Sequence, residues 1–215
     1  MILKKIACFS SGIFLAVSLY QAPNALGEDV PLYEAARTGD IDAVRILLES
    51  GIDIDGRDGR GYTPLLYASS YSHADIVDLL IAKGADVNAT LRNGTTTVQA
   101  AAAVGNVAII KNLHSRGADL HAANRHGDTP ILWASLNGHA DVVDFLIKNN
   151  ARLDVGNINN DTALHLAASN GHAMVVKALI AAGADLEAIN EKGQTPLDIA
   201  KSRNRREVVE ILSAH

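Results

Sequence analysis

Apolar and polar positions follow one fixed order along most of the chain. A short apolar run rich in small residues comes first, such as Leu65 to Ser69, and then a polar break. A second run follows with apolar residues at i, i+1, i+3 and i+4, as in Ile76, Val77, Leu79 and Leu80, and a polar loop closes the unit. The spacing predicts two short amphipathic helices per unit. Thr63, Thr96, Thr129, Thr162 and Thr195 stand 33 residues apart, and Gly51, Gly84, Gly117, Asn150 and Gly183 keep the same step. A fixed period of this size marks a stacked repeat array. Phased on the threonines, the units are 28–57, 58–90, 91–123, 124–156, 157–189 and 190–215.

Within a unit each residue type has a local reason. Thr63 is placed as an N-cap, and Pro64 at the first helical position gives up a donor that would have no partner anyway. Ala68, Ala101, Ala134, Ala167 and Ala200 are equivalent, and a small side chain there lets neighbouring helices approach closely. Gly105, Gly138 and Gly171 end the first helix, where a positive φ is wanted. Asp75 opens the second helix at its positive dipole end, and Gly84 closes it. Neither helix is long enough to stand alone, so each must bury its apolar stripe against the next unit. The expected fold is an all-α solenoid of about six helix-turn-helix units, including two caps, joined by hairpin-like loops.

The stretch Thr162-Ala163-Leu164-His165-Leu166-Ala167-Ala168-Ser169-Asn170-Gly171-His172, with Gly183-Ala184-Asp185-Leu186, resembles the signature of ankyrin repeat proteins. Thr63-Pro64-Leu65, Thr129-Pro130-Ile131 and Thr195-Pro196-Leu197 repeat its opening, and the resemblance covers about 31–215. It implies a loop or β-hairpin and two antiparallel helices per unit, with a concave binding face. The signature histidine survives only as His165; Leu66, Gln99, Leu132 and Asp198 hold its equivalents. The hydrogen-bond network of that histidine is therefore not expected to run through the whole array. The third unit departs furthest, with Thr97 for proline and Asn112 at a position that is apolar elsewhere. It is expected to be the softest internal unit. The first unit lacks the threonine, and the last carries Lys201, Arg203, Arg205, Arg206, Glu207 and Glu210, the polar dressing of a terminal repeat.

Residues 1–27 read as a secretory signal: Lys4 and Lys5, an uncharged apolar stretch from Ile6 to Leu19, and Ala25-Leu26-Gly27 ahead of a cleavage point. The apolar stretch is about 14 residues, short of the ~20 that span a bilayer. An uncleaved inner-membrane anchor over residues 6–20 is the alternative. Formal net charge is −5, or −7 without Lys4 and Lys5, which argues against a nucleic-acid footprint. Cys8 is the only cysteine and lies in the leader, so the exported chain has no thiol chemistry.

No catalytic constellation stands out, and no cofactor, metal or small-molecule substrate is expected. His73, His139 and His172 share one repeat position, which suits a structural ladder. His114, His121 and His126 fall on a helix end, a turn and a loop tip, and do not converge as metal ligands do. Gly56 to Gly61 lacks the Gly-Lys-Ser/Thr ending of a phosphate loop.

By the resemblance, loop tips and the exposed side of the first helices face a partner. The candidate partner-binding residues are Arg60, Tyr62, Tyr67, Tyr71, Arg92, His126, Asp128, Trp133 and Asn137. Between Tyr67/Tyr71 and Trp133 the third unit presents only Ala100, Ala103 and Val104, which suggests an aromatic-walled notch; the alternative is that these aromatics pack against neighbouring helices. The functional expectation is a monomeric, non-catalytic module that binds another protein after export, in the periplasm or secreted, holding, inhibiting or protecting it. Two further expectations are a secreted effector binding a host protein and an accessory factor of a peroxide-defence enzyme such as catalase. Both rest on family analogy, and fold alone does not fix function.

Overall fold

The structure is a computed structural model that describes residues 31–215; the expectations about the leader and a membrane anchor fall outside the described residues. Twelve helices occupy the described residues, in six consecutive pairs. The first helices of the pairs are α1 (Leu32–Thr38), α3 (Pro64–Ser70), α5 (Thr97–Ala103), α7 (Pro130–Asn137), α9 (Ala163–Asn170) and α11 (Pro196–Ser202). The second helices are α2 (Ile41–Glu49), α4 (Ala74–Ala82), α6 (Val107–Ser115), α8 (Ala140–Lys148), α10 (Ala173–Ala181) and α12 (Arg206–Ser213). Each first helix packs on the first helix of the next pair, and each second helix does likewise, so two parallel layers run along the array.

The helix starts at Thr63, Thr96 and Thr195 follow the sequence logic, whereas the buried Thr129 hydroxyl caps nothing. Thr63 Oγ1 accepts from the Leu66 amide at 3.2 Å, with Pro64 at the first helical position. Thr96 and Gln99 cap α5 reciprocally. Gly105, Gly138 and Gly171 hold φ near +80°, closing the first helix of their units as a left-handed residue does. Ala68, Ala101, Ala134, Ala167 and Ala200 are fully buried where successive first helices meet. Between the two layers lies an aliphatic core that includes Leu65, Leu80, Ile109, Leu113, Leu146, Leu164 and Leu179. Interiors this close-packed leave little room for larger side chains at the alanine positions.

The loops are hairpin-like without forming strands among the described residues, where Thr90 and Thr96 make an isolated antiparallel bridge. Five equivalent turns are closed by the amides of Asp58, Leu91, Asn124, Asn157 and Asn190, each donating to the carbonyl four residues on. In four of them the turn is filled by a side-chain oxygen of Asp58, Asn124, Asn157 or Asn190, which accepts from the amides two and four residues later. Loop tips are then tied together. Arg125 N donates to Asn93 O, Ile158 N to His126 O, and Glu191 N to Asn159 O, each at 2.9 Å. Arg57, the last residue of the first unit, adds a side-chain link, its Nη1 donating to Gly61 O and Thr90 O of the second unit.

Two expectations change here. Gln99 does the work of the signature histidine: its Nε2 donates to Ala122 O and Asp128 O, both at 2.7 Å, as His165 Nε2 donates to Gln194 O at 3.0 Å in the fifth unit. An amide spans the same gap as an imidazole, so the third unit has its own bridge, while Leu66 and Leu132 leave the second and fourth without one, as expected. The two polar residues behind the expected softness of the third unit are also partnered. Thr97 is fully buried and donates to Val87 O at 2.6 Å, while Asn112, half-buried, donates to Asp78 of the preceding unit.

Candidate functional site

All four tyrosines of the described residues gather at the first two units. Tyr62, from the loop entering α3, stacks on Tyr67 at 4.5 Å between ring centroids and 21° between planes. Tyr33 on α1 and Tyr71 at the end of α3 each lie 6.3 Å from Tyr67. Tyr67 is therefore the hub of the cluster and only 8% exposed, so of the two alternatives the sequence left open it packs against its neighbours rather than standing as an exposed wall. Its position faces α1 of the preceding unit, so the Tyr33 ring covers it. Tyr71, 52% exposed, turns the same way, its ring parallel to His73 within 9°.

Charged groups frame this cluster and are held in place. The Tyr67 hydroxyl donates to Asp58 Oδ2 at 2.7 Å. Burial, with the Asp58 carboxylate beside it, pushes the Tyr67 hydroxyl up to about 12. Burial alone would raise Asp58, but the Tyr67 hydroxyl and the amides of Tyr62, Arg60 and Gly61 outweigh it and hold that carboxyl below its ordinary value. Across the groove Arg37 grips Glu34 through two bonds, Nε to Oε2 at 2.8 Å and Nη2 to Oε1 at 2.5 Å. Glu34 first and the Tyr71 hydroxyl second raise the Arg37 guanidinium, and the Arg37 bond lowers Glu34. Tyr33, Glu34, Arg37, Asp58, Arg60, Tyr67 and Tyr71 line an open groove of about 510 Å³.

The remaining candidates lie along the same row of tips and first helices, in separate places. Arg92 is exposed, and its Cγ passes 3.4 Å from where a Cβ on Gly61 would stand, so it lies against the tip of the second unit. His126 is exposed at the fourth tip, and Asp128 is half-buried, accepting from Asn124 Nδ2. Trp133 is half-buried with its indole N–H enclosed and without a partner, and exposed Asn137 donates to the Trp133 carbonyl. Trp133 makes no ring contact with the tyrosines among the described residues. With Tyr67 buried and Tyr71 turned to the first unit, the aromatic notch over the third unit does not form. Tyr33 was the residue missed: position 33 lies 34 residues before Tyr67, one off the period, and a first unit without its threonine hides the register.

The histidine ladder serves the scaffold. His73, His139 and His172 each donate from Nε2 to a carbonyl of the preceding unit, those of Arg37, Ala103 and Leu136, at 3.0–3.2 Å. Arg205 takes the same place in the last unit, donating to Ser169 O. Among the described residues no helix is long and apolar enough to cross a membrane.

Two layers of short paired helices, with a row of loop tips and first-helix side chains left open beside them, define a repeat scaffold whose open face is set by non-repeating residues. The family described as ankyrin repeats (3 copies) matches residues 6–91, 88–157 and 149–215, and the chain belongs to it. Proteins of this family are in general non-enzymatic modules of protein–protein interaction. No curated protein matches the chain.

Proposed function

We propose that this chain is a non-catalytic protein-binding module that acts after export and holds, inhibits or protects another protein. Its contact surface is the face shared by first helices and loop tips, anchored at the tyrosine groove. The observation that carries this reading is the clustering of Tyr33, Tyr62, Tyr67 and Tyr71 around framed charges. The repeat demands none of these rings, since Leu132 and Trp133, or His165 and Leu166, follow the same threonine elsewhere. Tyrosine presents rigid apolar area and a hydroxyl at small entropic cost, and it dominates many interface energies. The leader, with Lys4, Lys5, the apolar stretch and Ala25-Leu26-Gly27, supports export.

The test is affinity capture from periplasmic extract by the full chain and by its Tyr71→Ala variant. Tyr71 is exposed, so its truncation leaves the core intact. A protein captured by the wild type, lost in the variant at unchanged melting temperature and rebinding when purified, supports the reading. Equal capture by both sinks it. Mass spectrometry of the exported chain checks for loss of residues 1–27.

A further inference from the structure

We propose that the loop tips of units two to four dock an acidic, extended segment of the partner, running from the tyrosine groove along Arg60, Arg92 and Arg125. The proposal rests on the protein-binding reading above and names the chemistry of what binds.

Arg60, Arg92 and Arg125 are exposed and sit within one position of each other in the repeat, at the tips of three successive turns. The ion pairs among the described residues are Arg37–Glu34, Arg152–Asp154 and Lys177–Glu207, and none of the three arginines takes part. The acids around the groove are already committed. Asp58 receives the Tyr67 hydroxyl and the Arg60 and Tyr62 amides, and Glu34 is gripped by Arg37. Arg57, on the same loop, behaves differently: its Nη1 donates to two carbonyls, Gly61 O and Thr90 O, and ties the end of the first unit to the second. The positive row is thus distinct from the arginines that build the scaffold.

Its extent is also defined. Arg60 lines the tyrosine groove, Arg92 lies over Gly61, and the Arg125 backbone is bonded to the third tip through Asn93. Beyond it the tips carry Ile158, Asn159, Glu191 and Lys192, and the single sign is lost. Three arginines offer about three phosphate contacts, against the roughly 6–10 of a tight nucleic-acid binder, and the chain as a whole is acidic at −5, which disfavours nucleic acids. A peptide carboxylate series fits. Stacked helices stand about 8–10 Å apart, and an extended chain advances about 3.3 Å per residue, so acids three residues apart match successive tips.

The test uses the full chain and fluorescein-labelled peptides of about 12 residues, about 40 Å when extended, which covers three tips about 8–10 Å apart and reaches the tyrosine groove. One peptide carries Asp at every third position with a terminal Phe, a second has the same composition with the acids clustered at one end, and a third has Ser for Asp. A single-stranded oligonucleotide and phosphatidylserine vesicles are the other probes. The spaced peptide is expected to bind best, and the triple variant Arg60→Glu, Arg92→Glu, Arg125→Glu to weaken it by about tenfold or more at unchanged melting temperature. No binding of the spaced peptide, or binding untouched by the triple variant, overturns the proposal. So does equal binding of the clustered peptide, the oligonucleotide or the vesicles, which marks an unselective anion patch. If the proposal falls while Tyr71→Ala still abolishes capture of the partner, the protein-binding reading stands; if capture survives Tyr71→Ala, that reading falls by itself.

Discussion

The imidazole of His172 occupies the space that a Cβ on Gly138 would fill: its Nδ1 lies 2.5 Å from that point, and its Nε2 donates to Leu136 O at 3.0 Å. Gly138 also holds φ at +82°. The glycine ending the first helix of one unit is thus the seat of the histidine that opens the second helix of the next. Gly138→Ala is expected to cost about 2–4 kcal/mol, from the left-handed backbone and from displacing the ring and its bond. Urea unfolding of Gly138→Ala, His172→Ala and the double variant checks it. With the ring gone the alanine should cost only the backbone share of about 1–2 kcal/mol. Strict additivity would show that the ring and the glycine are independent.

One place in the array breaks this pairing on both sides at once. Asn106 stands where the histidines stand, and Ser72 stands where the glycines stand, with φ at +65°. A shorter amide leaves room for a Cβ, and Asn106 Nδ2 donates to Ser72 Oγ at 2.7 Å. Asn106→His alone is therefore expected to destabilise by about 1–3 kcal/mol, by collision with Ser72 and by loss of the Asn106 cap on Ile109. The same change in a Ser72→Gly background should cost markedly less. A difference below the error of denaturant titration would show that the two substitutions are unrelated.

The scaffold was legible in the sequence because its causes are local and repeated. Thr63-Pro64, the alanine series and Gly105, Gly138 and Gly171 each act within a few residues of themselves, and the 33-residue step multiplies the signal. Contacts between units were harder to read. Gln99 looked like the loss of a histidine, and only its reach to Asp128 O shows an equivalent bridge. The tyrosine groove needed the relative placement of α1 and α3, which no periodicity gives. Tyr62 and Tyr67 could be named as surplus to the repeat and packing of Tyr67 given as one of two alternatives, whereas Tyr33 beside it could not be named.

The bridge itself is testable by removal. Gln99 is fully buried, accepts from Thr96 N at 3.0 Å and donates to Ala122 O at the end of its own unit and to Asp128 O of the fourth. Gln99→Leu keeps the shape, as Leu66 and Leu132 show at equivalent positions, but leaves those groups without partners. Orphaned buried polar groups cost about 1–3 kcal/mol each when no water reaches them, so a loss of about 2 kcal/mol in unfolding free energy is expected. Hydrogen exchange should place the added opening at the joint between α5 and α7. An unchanged stability would mean that the bridge contributes nothing net, and Gln99 would then be a space-filler.

Tyr67 and Asp58 make the stability of the groove depend on pH at both extremes. The folded Asp58 carboxyl lies below its ordinary 3.8, so its contribution is present above that value and is lost as pH falls through the folded value. The folded Tyr67 hydroxyl is raised from 10.0 to about 12, so its contribution is present below 10.0 and is lost as pH rises towards 12. Tyr67→Phe removes the shared bond while keeping the ring stack on Tyr62. The difference in unfolding free energy between wild type and Tyr67→Phe should be flat from about pH 5 to 9 and shrink on either side. Loss on the acid side alone would show that the bond needs the Asp58 carboxylate while folding leaves the ionisation of the Tyr67 hydroxyl unchanged. A difference that stays constant across the whole range would rule out a charge-coupled bond between the two residues.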